Sequence, residues 1–171
     1  MDHYPEEDEK LRASTLSRRR GGNCPNSLEV MQQLINLSQS KLSMNLISVL
    51  PALESASTRF IKQTLGPNVN CDSCIYRENS TEPASAYVIN SQRTGSRTIV
   101  SYNELPQMTL EEFSSSVDKL GQIEKTCFHF EVCLVTAYAC SRISRTHIGN
   151  NGRSQPTVHF AHPAQIPFGI H

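Results

Sequence analysis

The chain has 171 residues, which is long enough for one domain with a hydrophobic core. Its 16 Lys and Arg residues balance 16 Asp and Glu residues, so no overall field favours nucleic acid or an acidic membrane surface. No stretch approaches the roughly 20 apolar residues that span a bilayer, and the acidic start does not have the pattern of a signal peptide. We therefore expect a cytoplasmic protein that binds neither nucleic acid nor membrane.

The first forty residues predict a polar segment followed by a helix. Residues 1–20 are charged and polar, and we expect a solvated segment or loop there. Its last three residues, Arg18–Arg20, could bind an anion, but a solvated run of charge is the commoner case. The apolar spacing over 28–37 is typical of an amphipathic helix, for which Asn26 or Ser27 is the predicted cap.

The next region predicts alternating strand and helix. The apolar run Met44–Leu50 is typical of a buried strand. Ser55 or Ser57 is then expected to cap a helix that runs to Leu65 and stops at Gly66. This alternation indicates the α/β class.

Three strands are predicted in the middle of the chain, at 74–76, 86–89 and 97–102, and we expect them to form a small antiparallel sheet. The polar turn 91–96, which contains a glycine, joins the last two strands. Thr109 and Glu112 have the spacing of a capping box, which predicts a helix start, and 126–131 reads as a buried strand. From about residue 142 the composition loses any helical or strand period, so we expect irregular structure there.

Two motifs invite a chemical interpretation. In the segment 21–27, two glycines allow close backbone approach, and Asn23 and Asn26 offer donors and acceptors that can bind vicinal hydroxyls. The alternative is a tight turn with an Asn cap. Cys71-x-x-Cys74 has the spacing of half a zinc site or a redox pair, but one pair alone is weak support. We predict no metal site and reduced thiols.

The chain also resembles the PfkB, or ribokinase-like, carbohydrate kinases, and the ketohexokinase branch in particular. The segments that carry this resemblance follow one another in order, at 4–8, 20–27, 81–90, 95–100 and 128–131. They span about three quarters of the chain.

The resemblance implies a partial ribokinase-like αβα core with a small antiparallel β lid. It places Gly22, Asn23 and Asn26 on the sugar, and Arg97 and Glu131 near the nucleotide phosphates. It also implies ATP, Mg²⁺ and a small sugar as ligands. Separately, we expect that two copies of the chain associate through the lid strands. Without the resemblance, Arg97 would be a solvated charge and Glu131 a carboxylate in an ordinary ion pair.

The sequence departs from the family pattern in two ways. It lacks the family's initial strand with a sugar-binding aspartate, and it lacks the Asp-Thr-x-Gly-Ala-Gly-Asp segment that supplies the anion hole and the catalytic base. We therefore expect a partial kinase domain over 1–141, a non-homologous tail over 142–171 and no catalytic residue in the chain. The alternative function is a non-catalytic, truncated kinase remnant, or the product of a mis-predicted gene.

Overall fold

The computed structural model describes residues 3–39, 42–120, 126–130, 157–162 and 168–170. The helices in this part of the chain are α1 (Asn23–Ser38), α2 (Ala56–Leu65) and α3 (Leu110–Asp118). The strands are β1 (Arg18–Arg20), β2 (Met44–Pro51), β3 (Val69–Asn70), β4 (Ile75–Arg77), β5 (Ser85–Asn90), β6 (Arg97–Tyr102), β7 (Thr126–Phe130), β8 (Thr157–His162) and β9 (Phe168–Ile170).

The strands form two sheets of different character. In the first sheet β3, β2, β8 and β7 follow one another in parallel, and β4 also pairs with β2 in parallel. In the second sheet the order is β1, β9, β5 and β6, and β5 and β6 form an antiparallel hairpin. The predicted α/β class is therefore confirmed.

Strand β2 lies between two hydrophobic layers because its successive side chains point to opposite faces. Met44, Leu46 and Leu50 pack against residues of α1 and α2. Ile47 packs instead with Phe113 and Val117 of α3. The parallel sheet thus carries helices on both faces, as parallel sheets usually do.

Two helix starts are confirmed in detail. The Ser55 hydroxyl accepts a hydrogen bond from the Thr58 amide at 3.0 Å, and α2 ends before Gly66, whose φ is 83°. At α3 the Thr109 hydroxyl accepts from the Glu112 amide, while the Glu112 carboxylate accepts from the Thr109 amide. These local signals were readable because each cap bonds to a residue three positions away.

Other predictions were wrong. Helix α1 begins at Asn23, and its N-cap is Gly22, which makes no side-chain cap hydrogen bond. Asn26 and Ser27 therefore lie inside the helix, and neither is its cap. Strand β4 joins the parallel sheet beside β2 instead of the antiparallel sheet.

Three strands also lie in regions for which we predicted no regular structure. Strand β1 occupies 18–20, where its partner is β9. Strands β8 and β9 lie within 142–171, where the sequence has no sustained alternation of apolar and polar residues. A segment can form a strand without that alternation, because pairing with a neighbouring strand satisfies its backbone hydrogen-bonding groups. The division of the chain near residue 141 stays a prediction.

A bidentate ion pair ties β4 to the start of α3. Both terminal nitrogens of Arg77 donate to the Glu112 carboxylate, and Arg77 also donates to the carbonyls of Pro106 and Gln107. The hydrogen bonds from Arg77 lower the pKa of Glu112 to about 2, although partial burial opposes this. The ionised carboxylate thus stabilises the folded state.

We predict that Glu112→Gln lowers the free energy of unfolding by about 1–2 kcal/mol near neutral pH, once solvent screening is allowed for. Because the folded pKa lies below the ordinary value of 4.5, the contribution is present above about pH 4.5 and is lost as the pH falls toward 2. Urea denaturation at several pH values measures the difference between variant and wild type. Glu111→Gln, in the same helical turn, is the matched control. A difference that stays constant down to about pH 2 would contradict this assignment.

Candidate functional site

The chain passes from the second sheet into the helical layer at Gly21 and Gly22. Strand β1 ends at Arg20, and α1 begins at Asn23. Gly22 has a φ of 92°, in a region that side-chain-bearing residues rarely adopt, and its carbonyl accepts from the Asn26 amide at 3.1 Å. The glycine therefore allows the strand to turn directly into the helix.

A buried arginine organises this junction. The side chain of Arg20 is only 4% exposed, and its Nη2 donates to Glu29 Oε2 at 2.7 Å. Its Nη1 donates to Asn26 Oδ1 at 3.4 Å, so one guanidinium holds two residues of α1. Burial lowers the pKa of Arg20, and the charge of Glu29 opposes that shift. The guanidinium remains charged, since arginine does not lose its proton in proteins.

One nitrogen of this guanidinium, Arg20 Nε, is buried. Among the residues that the structure describes, none accepts a hydrogen bond from it. An unpaired buried donor of this kind is costly, and such groups concentrate at sites where a ligand or an ordered water completes the bonding.

A cleft of about 630 Å³ opens beside the junction. Its lining residues come from β1, the glycine turn and one side of α1 and α2, and they are Arg18, Arg19, Arg20, Gly21, Asn26, Glu29, Phe60 and Thr64. The guanidinium of Arg18 lies over the Phe60 ring, 5.5 Å from its centroid. The cleft thus combines amide, carboxylate, guanidinium and hydroxyl groups with one aromatic ring, which suits a small polar ligand.

The structure separates the five residues predicted to bind ligands. Gly22 and Asn26 lie at the junction, and Asn26 lines the cleft. Asn23 is the exposed first residue of α1. Arg97 is the exposed first residue of β6, opposite Asn90 across the hairpin, and it does not line the cleft. Glu131 lies outside the described residues.

The sequence interpretation missed Arg20 and Glu29. Arg18 and Arg19 are exposed, as expected for a solvated run, but Arg20 is not, so that interpretation was wrong for this residue. A usable signal was present, because Glu29 follows Asn26 by three residues and therefore shares its face of the helix. A basic residue just before the two glycines could therefore contact the side chains of both Asn26 and Glu29.

Within the described ranges, no group of three or more His, Cys, Asp or Glu residues is arranged to hold a metal ion. No helix in the same ranges is long and apolar enough to cross a membrane.

Comparison with models of known protein families found no match, and a search of curated proteins found no similar one.

We predict that Glu29→Gln destabilises the protein by about 1–3 kcal/mol, because it leaves a buried guanidinium without its counter-charge. Chemical denaturation measures this change. The control is Glu54→Gln, which removes an exposed carboxylate 3.8 Å from Arg59 and should cost less than about 0.5 kcal/mol.

A double variant tests whether the cost arises from the stranded charge. Arg20→Met combined with Glu29→Gln removes both charges and should be less destabilised than Glu29→Gln alone. If the double variant is the less stable of the two, Arg20 stabilises the junction in some other way.

Proposed function

We propose that this chain is the sugar-binding and lid portion of a carbohydrate kinase of the PfkB, ribokinase-like family. The complete fold of such an enzyme transfers a phosphoryl group from ATP to a sugar hydroxyl. The observation that carries the proposal is the position of the Gly21-Gly22-Asn23 motif, where strand β1 turns into helix α1 beside a polar cleft.

The position of the motif supports sugar binding because it joins two structural layers. Strand β1 belongs to the same sheet as the β5–β6 hairpin, and α1 packs on β2 of the parallel sheet. A ligand at the junction would therefore contact β1, which belongs to the sheet of the proposed lid, and helices α1 and α2 of the proposed core. Holding a substrate between two such layers is an effective way to orient a hydroxyl and exclude water.

The available hydrogen-bonding groups also suit a sugar. Asn26 uses its Oδ1 to accept from Arg20, which leaves its amide hydrogens to donate to a hydroxyl oxygen. Asn23 is the first residue of α1, three positions before Asn26, and its side chain is exposed. Glu29 can accept from a second hydroxyl, and Phe60 offers an apolar ring face. We assign Asn26 to the sugar on this basis, and Gly22 and Asn23, which adjoin the cleft without lining it, from the sequence resemblance.

ATP and Mg²⁺ belong to the proposal only through the complete fold. We assign Arg97 to the phosphates of ATP because it is a fixed positive charge beside the turn of an exposed hairpin. Glu131 carries the same assignment from the sequence resemblance alone. The described residues offer no clustered ligands for Mg²⁺, so we place no metal on them.

A second function is favoured by one sequence observation. None of the 171 residues forms the Gly-Ala-Gly-Asp segment that supplies the anion hole and general base in this family. The alternative proposal is therefore a non-catalytic, truncated remnant of such a kinase. Either function is compatible with the cytoplasm, which we keep as the proposed location.

The hairpin also supports the proposed pairing with a second copy of the chain. Strand register places Tyr87, Val100 and Tyr102 on one face of the β5–β6 hairpin, and each is about half exposed. An apolar face of this kind on an edge hairpin suits association through the lid strands.

We predict that residues 1–171 bind a ketose such as fructose, as measured by isothermal titration calorimetry. Asn26→Ala and Asn23→Ala should each weaken binding by about 1–3 kcal/mol, because a sugar hydroxyl loses its partner. Asn26→Asp is the sharper variant, since its carboxylate still accepts from Arg20 but cannot donate to the sugar. Undiminished binding by a folded Asn26→Asp protein would remove Asn26 from the site.

We further predict no ATP-dependent phosphorylation of fructose or ribose above background by residues 1–171. General-base catalysis alone contributes about 10²–10⁴-fold in rate, and the missing anion hole adds to that loss. A coupled assay for ADP release measures the activity. Magnesium-dependent turnover would favour the kinase over the non-catalytic remnant.

A further inference from the structure

The turn between β3 and β4 holds two cysteines whose thiols lie side by side in the core. Cys71 and Cys74 are 5% and 6% exposed, and both belong to the hydrophobic cluster beneath α1 and α2. The Cys74 amide donates to the Cys71 carbonyl at 3.0 Å, which closes a four-residue turn. Both residues are present as thiols.

The backbone of this turn suits a bond between the two sulfurs. The first and last Cα atoms of a β-turn lie within about 7 Å of each other, and disulfides join Cα atoms about 4.4–6.8 Å apart. The hydroxyl of Tyr76 donates to the Cys71 carbonyl at 3.1 Å, which anchors the turn from the side of β4. Closing the bond therefore requires little movement of the chain.

The surroundings give the two thiols different roles. The Cys74 thiol donates its hydrogen to the Leu46 carbonyl at 3.2 Å, whereas the nearest acceptor of the Cys71 thiol, the Val69 carbonyl, lies 4.0 Å away. The contact between the two thiols lowers the pKa of Cys71, which burial opposes, and raises the pKa of Cys74, which burial reinforces. Because the Cys74 hydrogen is held by a carbonyl, Cys71 is the thiol that attacks first and Cys74 is the resolving thiol.

We propose that Cys71 and Cys74 are a modification site that forms a reversible disulfide by exchange with a low-molecular-weight disulfide such as oxidised glutathione. The Cys71 thiolate attacks one sulfur of the glutathione disulfide, which releases one glutathione thiolate and leaves a mixed disulfide. Cys74 then loses its proton to solvent and attacks Cys71 Sγ, which releases the second glutathione. Two protein thiols are oxidised to one disulfide, and one glutathione disulfide is reduced to two thiols.

The reaction has a consequence for the central strand. Strand β3 pairs with β2 at Met44 and Asn45, and β4 pairs with β2 from Val49 to Pro51. The turn between β3 and β4 therefore lies beside residues 46–48 of β2, which form a gap between the two pairings. Within that gap the Cys74 thiol donates to the Leu46 carbonyl at 3.2 Å. Oxidation removes this proton, so the Leu46 carbonyl loses that donor. The proposal does not depend on the proposed sugar site.

The experiment equilibrates reduced residues 1–171 with a graded series of reduced and oxidised glutathione, then traps the remaining thiols by alkylation. Peptide mapping by mass spectrometry should find Cys71 and Cys74 in one linked peptide that has lost two hydrogens. The same series in urea gives the equilibrium constant for disulfide formation in the denatured chain. The equilibrium constant should be about tenfold higher in the folded protein, which is a potential roughly 30 mV lower. The carbonyl chemical shift of Leu46 should change on oxidation.

Matched variants test the two roles. Cys74→Ser should stop at a stable glutathione adduct on Cys71, and Cys71→Ser should leave Cys74 as a thiol. Cys127→Ser removes an exposed cysteine and should not change the yield of the linked peptide. The wild-type map decides the question even if a variant fails to fold. Alkylation of both Cys71 and Cys74 at high oxidised glutathione, or equal constants in folded and denatured protein, would overturn the proposal.

Discussion

The architecture depends on the burial of strand β2, in which every residue except Asn45 is buried. Met44, Leu46 and Leu50 face α1 and α2, while Ile47 faces α3. The strand also pairs with β3 and β4 along one edge and with β8 along the other. Because backbone groups at this depth must be hydrogen-bonded within the protein, the strand fixes the positions of its neighbours in both sheet and helices.

The junction before α1 is built on a different constraint, which is the burial of a charge. The Arg20 guanidinium can be buried because Glu29 and Asn26, on one face of α1, accept hydrogen bonds from it. Asn26 accepts one hydrogen bond from Arg20 through its Oδ1, and its side-chain N–H groups remain available as donors. The same contact that orders the junction therefore also orients the side chain that we assign to the sugar.

The parts of the fold that could be predicted from sequence are those with local causes. The run 44–50 is apolar enough to require burial, and the caps at Ser55 and Thr109 bond to residues three positions away. The start of α1 was missed because Gly22 turns the chain without any side-chain cap. The glycine motif itself was correctly singled out, since paired glycines mark a close backbone approach.

The parts that could not be predicted depend on residues distant in sequence. The burial of Arg20 accompanies its hydrogen bonds to Asn26 and Glu29 of α1, and the run of three arginines does not by itself reveal which arginine makes them. The parallel placement of β4 beside β2 joins segments about 26 residues apart and leaves the gap that the Cys74 thiol fills. Hydrophobic pattern alone does not choose between the two sheets.

The central claim is that a sugar binds where the chain leaves β1 and enters α1. The most direct measurement is nuclear magnetic resonance of isotope-labelled residues 1–171 during titration with fructose. We expect amide shifts to concentrate over 20–29 and at Phe60 and Thr64, with contacts between sugar protons and the Asn26 side-chain amide. Shifts confined to another part of the chain, or none at saturating sugar, would contradict it.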